Sequence, residues 1–274
     1  MNDLNDRTAV ITGAGSGIGR ALAAACAARG MQLVLADLQQ AALEETARLA
    51  GQPDSLLCIT DVSDAQAVQR LAQRTFDKTG DTALLFNNAG VLGSGTCWKL
   101  APEDWHWILG VNLMGVAHGI REFVPRMIGQ GRPARVVNTA SGAGLISAPG
   151  GAAYCASKHA VVALSECLYH DLALQALPIG VSVVCPSYVN TGITASEQYR
   201  PAALATGAPL KGPGEERLNR TFRRAPLTAD QVADIILRGI DDDHFYILPH
   251  PEVAGRAQSR LERIGAGGPP AAMA

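Results

Sequence analysis

The sequence has few aromatic residues, 5% of its 274, and its charged residues, at 18%, nearly cancel to a formal net charge of −2. The basic side chains are scattered, so the chain lacks the positive surface that binding to a nucleic-acid backbone requires. No apolar run approaches the ~18 residues that span a bilayer, and the N-terminus has no leader pattern. We therefore expect no nucleic-acid partner, no membrane attachment and a cytoplasmic location.

The sequence also lacks the short motifs of several enzyme classes. It contains no H-E-x-x-H, no G-x-S-x-G and no C-x-x-C, and its cysteines and histidines do not cluster at metal-binding spacings. A zinc hydrolase and an α/β-hydrolase are thereby disfavoured, and we expect no metal site. The six cysteines are expected to be reduced and buried as small hydrophobes: Cys26, Cys58, Cys97, Cys155, Cys167 and Cys185.

Short apolar runs alternate with helical patterns along most of the chain. The runs predict strands at Arg7–Thr12, Gln32–Asp37, Ser55–Ile59, Ala83–Asn87, Arg135–Thr139, Val181–Cys185 and Phe245–Leu248. Helices are predicted at Gly17–Arg29, Ala41–Ala50, Asp64–Lys78, Glu103–Gln130, Tyr154–Leu174 and Thr228–Asp241. This alternation predicts an α/β fold over residues 1–274, a single-domain, doubly wound parallel sheet of the Rossmann type with helices on both faces.

One stretch breaks the alternation. Residues 190–226 mix proline, glycine and charge over a length unusual for a connection, which predicts a flexible substrate loop acting as a lid. An insertion with no role is the alternative. The C-terminal residues 265–274, GAGGPPAAMA, are predicted to be loose.

A glycine-rich segment, TGAGSGIG, separates the first strand from the first helix at Thr12–Gly19. Glycines allow a tight turn there and let backbone N–H groups approach a pyrophosphate at the helix N-terminus. This predicts dinucleotide contacts for the turn, and a plain tight turn is the alternative. The predicted contact residues are Gly13, Ser16, Gly17, Ile18 and Gly19.

The ends of the next strands add candidate cofactor residues. Asp37 ends the second strand 18 residues after Gly19, close to the spacing at which an acid binds the adenine ribose. A carboxylate there repels a 2′-phosphate, so NAD is expected as cofactor rather than NADP. Further predicted cofactor contacts, for which ordinary turn chemistry is the alternative, are Asp61, Val62, Asn88, Ala89 and Gly90.

Tyr154 and Lys158 lie four residues apart on a predicted helix, and Ser141 precedes Tyr154 by 13 residues. Residues at this spacing share a helix face, which places an ammonium beside a phenol and favours the phenolate. With TGxxxGxG, NNAG and Asn112, the ordered set resembles the short-chain dehydrogenase/reductase family, in its compact subfamily, over roughly residues 5–250.

The resemblance implies a role for each catalytic candidate. Tyr154 would be the general acid/base, and Lys158 would lower the pKa of the tyrosine and bind the nicotinamide ribose. Ser141 would orient the substrate oxygen. Asn112 resembles the residue that holds a water next to the lysine.

The family pattern also covers the segment after the sixth strand. Pro186, Val189 and Thr191 fall where the resemblance implies contacts to the nicotinamide carboxamide. Ser187 departs from the family, which usually has glycine after the proline.

Together these residues predict an NAD-dependent oxidoreductase that transfers a hydride between nicotinamide and a secondary alcohol or ketone, expected to be hydrophobic. The alternatives are an NADPH-dependent carbonyl reductase of the same fold and a catalytically silent NAD-sensing protein. The family commonly forms dimers or tetramers, so a homodimer or homotetramer is expected. Three tryptophans are assigned to core packing, with the substrate border as the alternative: Trp98, Trp105 and Trp107.

Overall fold

A computed structural model describes residues 4–206 and 215–270 of the chain. Seven strands form one sheet in the order β3-β2-β1-β4-β5-β6-β7, and all neighbouring pairs are parallel. The strands are β1 Thr8–Thr12, β2 Gln32–Asp37, β3 Leu56–Ile59, β4 Leu84–Asn87, β5 Ala134–Thr139, β6 Ile179–Val184 and β7 Tyr246–Ile247. The predicted doubly wound Rossmann-type architecture is confirmed.

The central strands are buried on both faces because alternate residues of a strand point to opposite sides of the sheet. Ile11 of β1 packs with Leu22 and Ile236 in one hydrophobic core. Its neighbour Val10 packs with Leu71 and Phe123 in a second core on the opposite face. The helices therefore cover both faces, as right-handed crossovers require.

The helices are α1 Gly17–Ala27, α2 Gln40–Leu49, α3 Ala65–Thr79, α4 Pro102–Leu109, α5 Gly115–Gly129, α6 Ala152–Leu174, α7 Glu215–Arg223, α8 Ala229–Asp241 and α9 Glu252–Gly265. The six predicted helical regions are helical with small shifts in their bounds, the long one is divided into α4 and α5, and α7 and α9 are additional. Within residues 4–206 and 215–270, no helix is both long and apolar enough to cross a bilayer.

The predicted regular helix over 103–130 is wrong in its middle. Residues Gly110–Met114 form a π-helical turn between α4 and α5. This wider turn carries Asn112, whose carboxamide bonds the backbone of Val91 at 2.8 Å and 3.0 Å. At the end of the turn, a Cβ added at Gly115 would lie 2.7 Å from a methyl group of Val62, so this part of the helix packs closely against the chain after β3.

Residues 190–226, predicted as a flexible substrate loop, contain short helical elements that were not predicted. The segment contains 3₁₀ turns at Gly192–Tyr199 and Ala202–Leu204, followed by helix α7. Residues 207–214 lie outside the described residues. Its action as a lid stays a prediction.

Two further differences concern the C-terminal part and the cysteines. Helix α9 was not predicted, and the predicted loose tail begins at its last residue, Gly265, with 271–274 outside the described residues. All six cysteines are free, but Cys97 and Cys167 are exposed rather than buried.

Candidate functional site

A cleft of about 370 Å³ lies where the carboxyl ends of the central strands meet, as expected for a doubly wound sheet. Most of the predicted site residues line it. They are Gly13, Ser16, Gly17, Ile18, Asp37, Asp61, Val62, Asn88, Ala89, Gly90, Ser141, Tyr154, Lys158, Pro186, Val189 and Thr191. Gly19 and Asn112 are not among the lining residues.

The glycine turn after β1 requires residues without a side chain. Gly13 has a φ of 66°, and a Cβ there would lie 2.8 Å from the Cα of Ala89. Gly17 has a φ of 51°, and a Cβ would lie 2.9 Å from the methyl carbon of Thr191. A Cβ at Gly19 would collide with the carbonyl oxygen of Gly13, so Gly19 allows helix α1 to pack closely against the glycine turn.

A hydrogen-bond network fixes this turn to the end of β4. The Thr12 hydroxyl oxygen accepts from the amides of Asn88 at 3.0 Å and Ala89 at 3.1 Å. The Asn88 carboxamide donates to the Thr12 carbonyl at 3.0 Å and accepts from the Thr139 hydroxyl at 3.3 Å. Thr12 and Thr139 were not predicted as site residues, because strand threonines carry no signal of this kind.

Asp37 shapes the same region from β2. One carboxylate oxygen accepts from the Gly15 amide at 2.9 Å, and the other accepts from the Leu38 amide at 2.8 Å. Gly15 was not singled out from the sequence, although a Cβ there would lie 2.9 Å from the Asp37 carboxyl. The carboxylate both holds the turn and places a negative charge in the cleft.

The start of α1 fits the pyrophosphate of a dinucleotide. Its N-cap residue Ser16 makes no side-chain capping hydrogen bond, and Ser16, Gly17 and Ile18 line the cleft. The first amides of a helix lack partners within it, and the helix dipole favours an anion there. Glycines that tolerate no Cβ, uncapped amides and the Asp37 carboxylate together match what this cofactor class requires.

Ser141, Tyr154 and Lys158 face the other part of the cleft. Helix α6 begins at Ala152, so Tyr154 and Lys158 project from its first two turns on one face. The Lys158 ammonium nitrogen lies 5.8 Å from the centroid of the Tyr154 ring and donates to the Thr139 carbonyl at 2.9 Å. Ser141 follows β5, and its hydroxyl accepts from the Ala143 amide at 3.1 Å. The structure therefore brings together the three side chains that the sequence proposed.

Burial shifts the pKa values of Tyr154 and Lys158 in opposite directions. Burial raises the pKa of Tyr154 to about 12, although a hydrogen bond with Ser141 acts to lower it. Lys158 is only 2% exposed, and burial lowers its pKa to about 8. Desolvation is the largest influence on the tyrosine pKa in this structure, and the lowering of that pKa by Lys158 stays a prediction. At neutral pH the phenol is protonated and able to donate.

Asn112 lies behind the cleft wall rather than in it. Its side chain is fully buried and bonds the backbone of Val91 and, at 3.1 Å, the hydroxyl of Ser157. A Cβ added at Gly90 would lie 3.4 Å from the Asn112 side-chain oxygen and 3.5 Å from the Lys158 nitrogen. Asn112 thus fixes the chain beside the lysine, while its part in holding a water stays a prediction.

The segment after β6 is held by a histidine that was not predicted. The amide of Ser187, the residue that departs from the family pattern, donates to the Nδ1 atom of His250 at 3.1 Å. His250 is buried, and its Nε2 has no hydrogen-bond partner among the described residues. Desolvation lowers the pKa of the imidazole. A serine therefore fits here with its backbone amide anchored to the chain just before α9.

The cleft lining also includes large apolar residues from several distant parts of the chain. Trp107 is 2% exposed and lines the cleft, whereas Trp98 is 84% exposed, so its assignment to the core is wrong. Trp105 packs against the small hydrophobic cluster that contains Trp107. Other apolar lining residues are Ile146, Leu204, Leu218, Phe222 and Val253.

A parallel Rossmann-type sheet with a glycine turn, an uncapped helix N-terminus and a carboxylate at the end of the second strand is typical of dinucleotide-binding oxidoreductases. Residues 7–201 match the family model of short chain dehydrogenases. The chain belongs to the short-chain dehydrogenase/reductase family, as its motifs predicted.

Known relatives extend over nearly the whole chain. It is similar to a short chain dehydrogenase/reductase from Burkholderia phymatum solved in complex with NAD, with 44% identity, a TM-score of 0.96 and coverage of 100% and 99% of the two chains. A CLA biosynthesis dehydrogenase/reductase from Lactiplantibacillus plantarum is 34% identical over 98% of this chain and 97% of that protein. A 1-deoxy-11-beta-hydroxypentalenate dehydrogenase from Streptomyces avermitilis is 36% identical over 94% and 88%.

Proposed function

We propose that the protein is an NAD-dependent oxidoreductase that interconverts a hydrophobic secondary alcohol and its ketone. The observation that carries the proposal is the convergence of Ser141, Tyr154 and Lys158 on the cleft that also contains the glycine turn. When bound, the nicotinamide ring supplies or accepts the hydride. The side chains supply proton transfer and positioning.

Tyr154 is the proposed general acid/base. In reduction its hydroxyl donates a proton to the carbonyl oxygen, and its raised pKa of about 12 keeps that proton available at neutral pH. In oxidation the phenolate must form first, so alkaline conditions favour this direction. Ser141 hydrogen-bonds the same substrate oxygen, and Lys158 stabilises the phenolate and binds the ribose beside the ring.

Asp37 supports the choice of NAD over NADP. Its carboxylate lines the cleft at the end of β2, flanked by Leu38 and Gln39, which carry no positive charge. A 2′-phosphate at this position would face a carboxylate whose two oxygens are already bonded to the backbone of Gly15 and Leu38. The similarity to a protein solved with NAD points in the same direction.

The apolar lining supports a hydrophobic substrate. The cleft lining contains Trp107, Leu204, Leu218 and Phe222, and an apolar pocket with a few convergent polar groups is typical of small-molecule sites. The similarity to a dehydrogenase named for a hydroxypentalenate substrate supports the oxidation of a hydroxyl group on a carbon skeleton.

Further proposals concern assembly and location. Met114, at the end of the π-helical turn, and Leu174, at the end of α6, are exposed apolar residues, and they support a homodimer or homotetramer, which light scattering after size exclusion would measure. The six unpaired cysteines support a reducing, cytoplasmic location. We also propose that residues 1–274 form a single domain.

A spectrophotometric screen tests the function. The wild-type protein is offered NAD⁺ or NADP⁺ with a panel of secondary alcohols of increasing apolar bulk, and NADH or NADPH with the matching ketones. We expect turnover with NAD(H), weaker binding of NADPH than of NADH, and a loss of about 100-fold or more in Tyr154→Phe with NADH binding retained.

Tyr169→Phe is the matched control, because Tyr169 lies on the same helix and contacts Phe245 rather than the cleft. It should keep full activity. Tight NADH binding without turnover of any alcohol or ketone would instead support the NAD-sensing alternative, and tighter NADPH binding would support the carbonyl reductase.

A further inference from the structure

Arg200 has a buried, ion-paired side chain, although it lies in a segment predicted to be a flexible loop. Its side chain is only 4% exposed, and that of Asp104, its partner on α4, is 5% exposed. The guanidinium donates to Asp104 at 2.5 Å, to Glu197 at 3.1 Å and to the Leu204 carbonyl at 2.8 Å. Its central carbon lies 5.2 Å from the ring centroid of Trp107. The hydrogen bond from Arg200 to Asp104 thus connects two segments that are 96 residues apart in the sequence.

The surroundings of this ion pair make it costly to break. The second carboxylate oxygen of Asp104 accepts from the Ala101 amide at 2.8 Å, so both charged groups are hydrogen-bonded on several sides. An exposed pair contributes little, whereas removing one partner of a buried pair leaves a charge without compensation. The planar guanidinium can also stack on an indole while it bonds in its own plane, which a lysine cannot do.

The segment that Arg200 holds forms one wall of the cleft. Ser196, Tyr199, Pro201 and Leu204 line it, whereas Arg200 itself does not. Leu204 packs with Trp107 in a small hydrophobic cluster that is separate from the two main cores. The guanidinium therefore lies behind this wall. It fixes two parts of the wall, the segment with the 3₁₀ turns and Trp107, against each other.

A second tether fixes the same wall to the catalytic side of the cleft. The Ser196 hydroxyl accepts from the Leu92 amide at 3.1 Å, two residues after Gly90. Helix α4, which carries Asp104 and Trp107, continues directly into the π-helical turn with Asn112. The position of the wall is therefore set relative to Tyr154 and Lys158 by side-chain contacts.

We propose that Arg200 is a positioning residue that, with Asp104, fixes residues 192–204 and Trp107 as a preformed wall of the substrate half of the cleft. This inference rests on the proposed function for its effect on substrate binding. A wall ordered before binding costs no conformational entropy when the alcohol or ketone binds, so its loss raises the substrate KM while the proton-transferring groups stay in place.

The test uses the double variant Arg200→Met/Asp104→Leu, which removes both buried charges at similar volume and so avoids an unpaired charge. We expect hydrogen exchange of the amides in 192–204 to rise about tenfold, and the KM for the best alcohol to rise about tenfold, with kcat and the NADH dissociation constant changed by less than about threefold. Arg200→Lys should fall between the wild type and the double variant, because it keeps the charge but not the planar set of bonds.

Arg29→Met is the matched control. Arg29 also makes a two-bond ion pair, with Asp241 at 3.0 Å and 2.8 Å, but this pair is exposed and neither residue lines the cleft. It should change neither exchange in 192–204 nor KM.

Two results would overturn the inference: a folded double variant with wild-type exchange and wild-type KM, or a parallel loss of kcat, substrate binding and NADH binding, which indicates a general structural role. If the wild type oxidised no alcohol, the proposed function would fail, yet exchange in 192–204 would still decide whether Arg200 fixes the wall.

Discussion

The two halves of the cleft are built by different means. The dinucleotide half is made mainly of backbone: a glycine turn, uncapped helix amides and strand ends fixed by Thr12 and Asn88. The substrate half is made of side chains from distant segments, fixed by the buried pair of Arg200 and Asp104. Backbone geometry constrains residue type over a few consecutive positions, whereas side-chain walls constrain only volume and charge. The first half therefore leaves a motif in the sequence, and the second does not.

Lys158, the lysine of the proposed catalytic set, is where the two halves meet, and its replacement gives the largest expected effect. Lys158→Met should lower kcat/KM by about 100-fold or more, because the phenolate loses its nearby cation. The same change should raise the free energy of unfolding at pH 7 by about 1–3 kcal/mol, because the folded chain no longer buries an ammonium, an effect partly offset by the lost bond to Thr139.

The stability difference between Lys158→Met and the wild type depends on pH. In the folded chain the lysine pKa is about 8, below its usual value of 10.5, so between these values the unfolded chain binds more protons and the wild type gains stability as the pH rises. The advantage of the variant should shrink from pH 8 to pH 10.5 in urea unfolding. Lys78→Met, at an exposed lysine on α3, should show no such change, and a constant advantage would contradict the burial argument.

The backbone half is tested by adding a single carbon. Gly13→Ala should weaken NADH binding by about 100-fold and lower stability by about 3 kcal/mol, because the Cβ meets the Ala89 backbone in a left-handed conformation. Gly131→Ala is the control: Gly131 has a φ of 65°, but a Cβ there has nothing within 4 Å, so we expect a loss of only about 1 kcal/mol and normal binding. Calorimetry would measure NADH binding and thermal unfolding of both variants. Equal losses in the two variants would show that backbone strain, and not the contact with Ala89, governs the turn.

The smallest expected effect concerns His250. Its pKa is lowered by burial, so the unfolded chain takes up the proton first and folding loses stability as the pH falls below about 6.5. His250→Asn can still accept from the Ser187 amide but does not titrate. The drop in unfolding midpoint between pH 7.5 and pH 5.5 should become smaller by about 2 °C. An identical drop in both proteins would place the acid sensitivity elsewhere.

The parts predicted from sequence share a local cause. Strand and helix order follow from apolar periodicity, and Tyr154, Lys158 and the glycine turn follow from spacing within one element. The π-helical turn was not predicted because the apolar residues around Asn112 still recur every three or four positions, as in a regular α-helix. The 3₁₀ turns and α7 were not predicted because the proline and glycine residues around them are typical of loops. The ion pair of Arg200 was not predicted because its partner lies far away in sequence, at position 104.

The family model ends at residue 201, but the cleft does not. Leu204, Leu218, Phe222, Val253 and Arg256 also line it, and all five lie beyond that match. During divergence, this C-terminal part can be remodelled to admit a different molecule while the chemistry upstream is preserved. Two homologues with identical catalytic signatures can therefore differ in what they oxidise, and residues after 201 are the ones to compare when substrates are inferred across such proteins.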